Sequence, residues 1–295
     1  MRNPQLNPFG ALTHLLTTEG LSRAILTRIL DTTALFLTPA NEALQKAPLL
    51  HGKKVLGLVD ASFVGQASTS VGVFEHAAQH LSAEWMGIQT LDLSAVSELA
   101  NLPVDIVVLR TEESGVPHWL AQQVGSHVHI MNAGDGCHAD PTSALWDMHA
   151  IRCAKREFAN LTVVLVGDVL HSRRARSCIH ALTTLCVAEV RAVGPLTLLP
   201  EGLAQLGVRM CTDMVEGLRD ADVIIMLDQV PTDVERAYLP STREYIDCYG
   251  LTKEKRVFAK PDCLVLGTEA QGIERDAARV AVCMAAMSLA VGTTV

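Results

Sequence analysis

Short apolar runs recur along this chain, each followed by a stretch with helical spacing. The clearest are Val55–Val59, Asp105–Leu109, Leu161–Val166, Val223–Leu227 and Cys263–Leu266. Weaker runs lie at His127–Met131 and Glu189–Val193. Between them, Val73, Phe74, Ala77, Ala78 and Leu81 form one apolar helix face. Further helices are expected over Pro141–Ala154, Arg174–Val187, Gly202–Leu206, Asp213–Leu218 and Ala277–Leu289. The first fifty or so residues also read as helices, from Leu12, Leu15 and Leu16 through Leu21, Ile25, Ile29, Leu30 and Leu35. Strands that alternate with helices have to be joined by crossovers, which predicts parallel sheets built from βαβ units. The pattern restarts at Leu161, so the expected fold class is α/β, with two doubly wound parallel-sheet domains joined by connecting helices. At 295 residues the chain is long enough for two such units.

Composition narrows the function classes. The chain carries 24 Lys+Arg against 32 Asp+Glu, a formal charge of −8, and only 4% aromatic residues. An acidic, aromatic-poor chain argues against nucleic acid and anionic membranes as partners. No apolar run reaches the length of a membrane span, and Met1–Gln5 does not open a signal peptide. Eight cysteines without a CxxC pair fit a reducing compartment, and a cytoplasmic location is expected. His76 and His80, and His127 and His129, invite a metal reading. No third ligand has metal-like spacing, so neither a metal nor a cofactor is expected. Cys137-His138 has no Asn or Asp partner that the sequence places, which leaves a thiol hydrolase unsupported.

Ligands in open α/β sheets bind at the carboxyl ends of the strands. Three features would fall there in the first half: Gln66–Gly72, Asn132–Gly136, and Arg110. Small hydroxyl residues before a helix suit an anion, and they equally suit simple helix caps. Arg110 reads equally as a solvated strand end. In the second half, Gly167–Arg173 follows a strand without GxGxxG spacing, which excludes a dinucleotide fingerprint. Arg173, Arg174 and Arg176 crowd a helix start, against the helix dipole, and suggest an anionic partner or an acidic neighbour.

In this order the segments resemble aspartate carbamoyltransferase catalytic chains. The similarity runs through Arg2–Leu6, Leu15-Leu16, Gly20-Leu21, Gly134–Gly136, Pro141-Thr142, Ala144-Leu145 and Val166–Ser177. It implies a carbamoyl-phosphate-type N-terminal domain over 1–146 plus 277–295 and an aspartate-type second domain over 147–276. It also implies a homotrimer, or a heteromer with a related enzyme. Ser68, Thr69 and Ser70 fall on the family's phosphate loop, where Ser70 replaces an arginine. Arg110 and Arg173 match substrate-binding arginines. Asp140 stands where the family has the histidine that polarises the carbamoyl carbonyl, Ser143 where it has a glutamine, and Asp228 where it has a second substrate arginine. Glu269 and Gln271 fall in a replaced late loop. Between Leu91 and Pro103 the chain is shorter than the family, and the loop lent by the neighbouring subunit is missing.

A site that loses cations and gains acids loses hold of carbamoyl phosphate and aspartate. Two readings follow. One is a pseudoenzyme, a non-catalytic or strongly altered paralogue near pyrimidine or amino-acid metabolism. The other is a repurposed transferase or condensing enzyme acting on an amino-acid-like, partly cationic substrate. Under either reading the expected ligand is small and amino-acid-like or acyl-phosphate-like. Asp140 and His171 are the candidates for proton transfer.

Overall fold

A computed structural model of the chain describes residues 3–38, 44–63, 70–92, 103–227, 242–267 and 274–293. It divides into two compact units, 1–149 with 271–295, and 150–270. Both are α/β.

The first unit contains α1 (Arg23–Leu35), β1 (Lys54–Val59), α2 (Ser70–His80), β2 (Glu84–Thr90), β3 (Ile106–Thr111), α3 (Val116–Gln123) and β4 (His129–Asp135). Helix α4 (Pro141–Lys155) starts in this unit and carries the chain into the next. Among the described residues its sheet has four parallel strands in the order β2-β1-β3-β4. Strand β3 is buried along its whole length, as a central parallel strand covered on both faces must be. One face packs Leu56, Leu58, Val107, Leu109 and Ile130 against Val116 and Leu120 of α3.

The second unit contains β5 (Thr162–Val166), α5 (Arg173–Thr184), β6 (Glu189–Val193), β7 (Val208–Cys211), α6 (Met214–Leu218), β8 (Val223–Met226), α7 (Thr242–Tyr249), α8 (Lys253–Arg256) and β9 (Leu264–Leu266). Its described sheet has five parallel strands in the order β7-β6-β5-β8-β9. Val164, Val166, Val193 and Ile224 pack on Met214, Leu218 and Ala259. The last helix, α9 (Glu274–Val291), belongs to the first unit and packs on α1 and α2. It is buried almost all round from Ala278 to Ala290, which explains an apolar stretch too continuous for a surface helix. Among the described residues no helix is long and apolar enough to cross a membrane.

Hydroxyl and carboxylate caps set several helix starts. Ser22 accepts from the Ile25 amide, Ser172 from Ala175, Asp213 from Glu216 and Thr252 from Lys255. Each satisfies one of the amides left over in a first helical turn.

Several expectations are corrected. Leu12, Leu15 and Leu16 are not helical. They are buried in an extended segment in which Leu15 bridges Met131 of β4 in parallel. Within the first fifty described residues, the helix is Arg23–Leu35. Gly202–Leu206 holds a single turn of 3-10 helix, Leu203–Leu206. Strand β4 runs on to Asp135, so Asn132–Asp135, read as a loop, is strand. Strands β2 and β7 have no counterpart in the sequence reading; both are edge strands with several exposed positions.

The N-terminal segment is tied to β4 through a buried histidine. His14 is 6% exposed, and its Nδ1 accepts from the Ile130 amide at 3.0 Å, which requires an unprotonated nitrogen. Burial and the nearby His129 ring hold the His14 pKa down to about 4, from 6.5. The unfolded chain therefore takes up this proton first as pH falls. The corresponding stability is complete above pH 6.5 and is lost between pH 6.5 and 4, a loss of about 3 kcal/mol. Urea denaturation across this range should show that loss, and His14→Gln should remove most of it.

Candidate functional site

Strand order reverses between β1 and β3 in the first unit, and between β5 and β8 in the second. At such a reversal the loops leave in opposite directions and open a crevice at the carboxyl ends of the strands. Val59 and Arg110 are register partners on β1 and β3. This brings Arg110 beside Asp60, whose amide donates to the Arg110 carbonyl at 3.2 Å. Arg110 is buried, and its guanidinium stacks 4.6 Å over the Phe63 ring. Asp60 accepts from the Thr111 hydroxyl at 3.0 Å and from the Glu112 amide at 2.6 Å. Asp60 was not singled out in the sequence, although it directly follows a predicted strand.

Asp140 is buried and sits one residue before α4. Its Oδ1 accepts from the Ser143 amide at 3.0 Å and from the Thr142 hydroxyl at 3.3 Å. Its carbonyl takes the first helical bond, from Ala144. The carboxylate therefore caps α4. Ser143 and Ser70 line one small cleft of about 30 Å³, together with Val73, Thr142, Arg279 and Cys283. The first turns of α2 and α4 meet there, and α9 contributes a cation. The Arg279 guanidinium is held 4.6 Å over the Trp146 ring. Arg279 escaped the sequence reading because it sits inside an apolar helix run. Burial pushes the Cys283 thiol far up, so it stays protonated.

Strand β4 ends at Asp135, which is fully buried. Its carboxylate accepts from the amides of Gly115 (2.8 Å) and Ala139 (3.1 Å) and from Asn132 Nδ2 (2.7 Å), and it lies 2.9 Å from His138 Nδ1. The loop after β4 is thus tied down by one carboxylate. That carboxylate also supplies the acidic partner of His138 that the sequence did not place.

In the second unit, Gly167 turns the chain out of β5 at φ +128°, and a Cβ there would meet Leu227 Cβ at 3.2 Å and the Tyr245 hydroxyl at 3.3 Å. Only glycine passes this point without strain. Asp168 follows, 6% exposed. Its Oδ1 accepts from the His171 amide at 3.0 Å, and its Oδ2 lies 2.9 Å from His171 Nδ1. His171 is thereby oriented by a buried acid, with part of its side chain exposed. Burial and the Asp168 charge push the Tyr245 hydroxyl up to about 12, so it remains protonated beside this pair. Arg173 opens α5, half-buried.

Within the first unit the fold brings together Ser70, Ser143, Arg279 and, at the α4 start, Asp140. Arg110 lies at the strand-order reversal. His171 and Arg173 share one loop and helix start in the second unit. Ser68, Thr69, Asp228, Glu269 and Gln271 lie outside the described residues. Among the described residues, no group of three His, Cys, Asp or Glu side chains could hold a metal ion.

Residues 13–153 match the family described as aspartate/ornithine carbamoyltransferase, carbamoyl-P binding domain. That match covers the carbamoyl-P binding domain and supports a transcarbamoylase-like chain. Solved structures agree in fold across nearly the whole length. An ornithine carbamoyltransferase from Pyrococcus furiosus is 20% identical, with 95% of this chain and 100% of that one covered and a TM-score of 0.76. An aspartate transcarbamoylase from Trypanosoma cruzi, in complex with carbamoyl aspartate and phosphate, is 18% identical, with 94% and 95% covered and a TM-score of 0.74. An ornithine carbamoyltransferase from Thermus thermophilus is 17% identical, with 92% and 98% covered and a TM-score of 0.73. The fold is therefore common to aspartate- and ornithine-type relatives.

The Asp140 cap has a direct test. Asp140→Ala should cost about 1 kcal/mol in chemical denaturation, and Asp140→Asn, whose amide oxygen still accepts from Ser143, only a few tenths.

Proposed function

We propose that this transcarbamoylase-like protein binds a small acyl-phosphate-like anion in its first unit without carrying out ordinary carbamoyl transfer to aspartate. It acts as a non-catalytic or strongly altered member, assembled as a homotrimer or with a related enzyme, in a regulatory role near pyrimidine or amino-acid metabolism. The observation that carries this reading is the Asp140 carboxylate. Transfer of a carbamoyl group builds negative charge on the carbonyl oxygen, and a site that accelerates it must present donors or positive charge to that oxygen. Asp140 presents neither, since its carboxylate is buried and committed to accepting bonds from Thr142 and Ser143. Arg110 and Arg279 leave the first unit with positive charge for an anion.

Purified protein incubated with carbamoyl phosphate and aspartate should form no carbamoyl aspartate above the uncatalysed background. Product formation at ordinary substrate levels would overturn the reading. Inorganic phosphate should raise the melting temperature, and Arg110→Gln should weaken that response by about tenfold or more in apparent affinity.

A second reading, a repurposed transferase or condensing enzyme, is favoured by the Asp168–His171 pair. A partly exposed imidazole oriented at 2.9 Å by a buried carboxylate is suited to take a proton from an incoming amine. Under this reading, turnover of a cationic amino acid with an acyl phosphate appears. It falls about 10²-fold or more in His171→Ala.

A further inference from the structure

A cavity of about 260 Å³ lies within the second unit, away from the Asp168–His171 pair's own hydrogen bonds. One wall is α5, through Arg176, Ile179 and His180. The other is the turn and 3-10 helix from Pro200 to Leu206, with Glu201 at its start. The floor is apolar: Val169, Ile179 and Leu203 are each buried to within a few percent of complete.

Two opposite charges border this floor. Arg176 occupies the first turn of α5, close in sequence to Arg173 and Arg174 and at the positive end of the helix dipole. Arg176 is exposed, and its guanidinium makes no hydrogen bond or ion pair with any described residue. Glu201, also exposed, likewise makes none, and the two are not paired with each other although they line one cavity. A guanidinium favours a carboxylate through paired, charge-assisted bonds, and a carboxylate favours an ammonium. Val169, Ile179 and Leu203 line the same cavity and offer an apolar surface that gains from covering. The space, a little below the usual range of ligand pockets, suits an amino acid.

We propose that this cavity binds a small aliphatic α-amino acid, with its carboxylate on Arg176, its ammonium group on Glu201 and its side chain over Val169, Ile179 and Leu203. The site is separate from those used in either functional reading above. Val169 also belongs to the loop that carries Asp168 and His171, so an occupied cavity braces that loop from behind.

Isothermal titration with L-leucine tests this, alongside two analogues that each lack one charge, 4-methylpentanoate and 3-methylbutylamine. L-Leucine binds the wild-type protein, and each analogue binds at least about tenfold more weakly. Arg176→Gln and Glu201→Gln each weaken L-leucine by about tenfold or more, while their circular-dichroism melts stay close to wild type. In Glu201→Gln, 4-methylpentanoate keeps its wild-type affinity. The proposal is overturned if L-leucine, L-valine and L-methionine all fail to bind at millimolar concentration. It is equally overturned if L-leucine binds Arg176→Gln as tightly as wild type, which would place the ligand elsewhere. If Arg176→Gln unfolds, the result with Glu201→Gln decides alone.

Discussion

Every feature of the candidate sites depends on strands running the same way. Parallel pairing of β1 with β3, and of β5 with β8, puts the strands' carboxyl ends at one edge of each sheet. Because strand order reverses between these pairs, the loops that follow them diverge. Arg110 is held beside Asp60 by the register Val59↔Arg110, and the turn after β5 begins at a glycine that Leu227 and Tyr245 crowd from behind. The local chemistry follows from this placement, and neither loop has to organise itself unaided.

At these strand ends, carboxylates act mainly as ties. Asp60 gathers Thr111 and Glu112, Asp135 gathers Gly115, Asn132 and Ala139, Asp140 caps α4, and Asp168 fixes His171. A buried acid persists only where donors surround it. In this division of labour the Asp140 carboxylate stabilises the helix start next to it. The positive charge near the cleft then comes from Arg279, which reaches it from the far end of the chain.

Much of this architecture was legible in the sequence. The central strands announce themselves through runs such as Val163–Val166, because both faces of a parallel strand are covered. Helix α9 was equally plain. Edge strands were not: β2 alternates half-buried and exposed residues, and β7 is buried only at its ends. Leu12, Leu15 and Leu16 carry helical spacing, yet the Leu15 amide bonds to Ile130 of β4 and the Leu16 amide to the Gln5 side chain. Tertiary partners override local periodicity in such a segment. At the sites, Arg110 was visible as a charge at the end of an apolar run and His171 as part of a glycine-led loop. The partners of Asp60, Asp135 and Arg279 were not, because they lie from 20 to more than 130 residues away. No spacing rule in one sequence joins Trp146 to Arg279.

Thiol placement has a practical consequence for studying the two units. Cys178, Cys211, Cys263 and Cys283 are buried, whereas Cys137, Cys153, Cys186 and Cys248 are exposed. Burial raises the pKa of Cys263 to about 11, and also that of Cys283, so both are poor nucleophiles until the chain opens. Cys283 belongs to the first unit and the other three to the second. Alkylation rates in mild denaturant, resolved cysteine by cysteine, therefore form a built-in clock that records which half of the molecule loosens first.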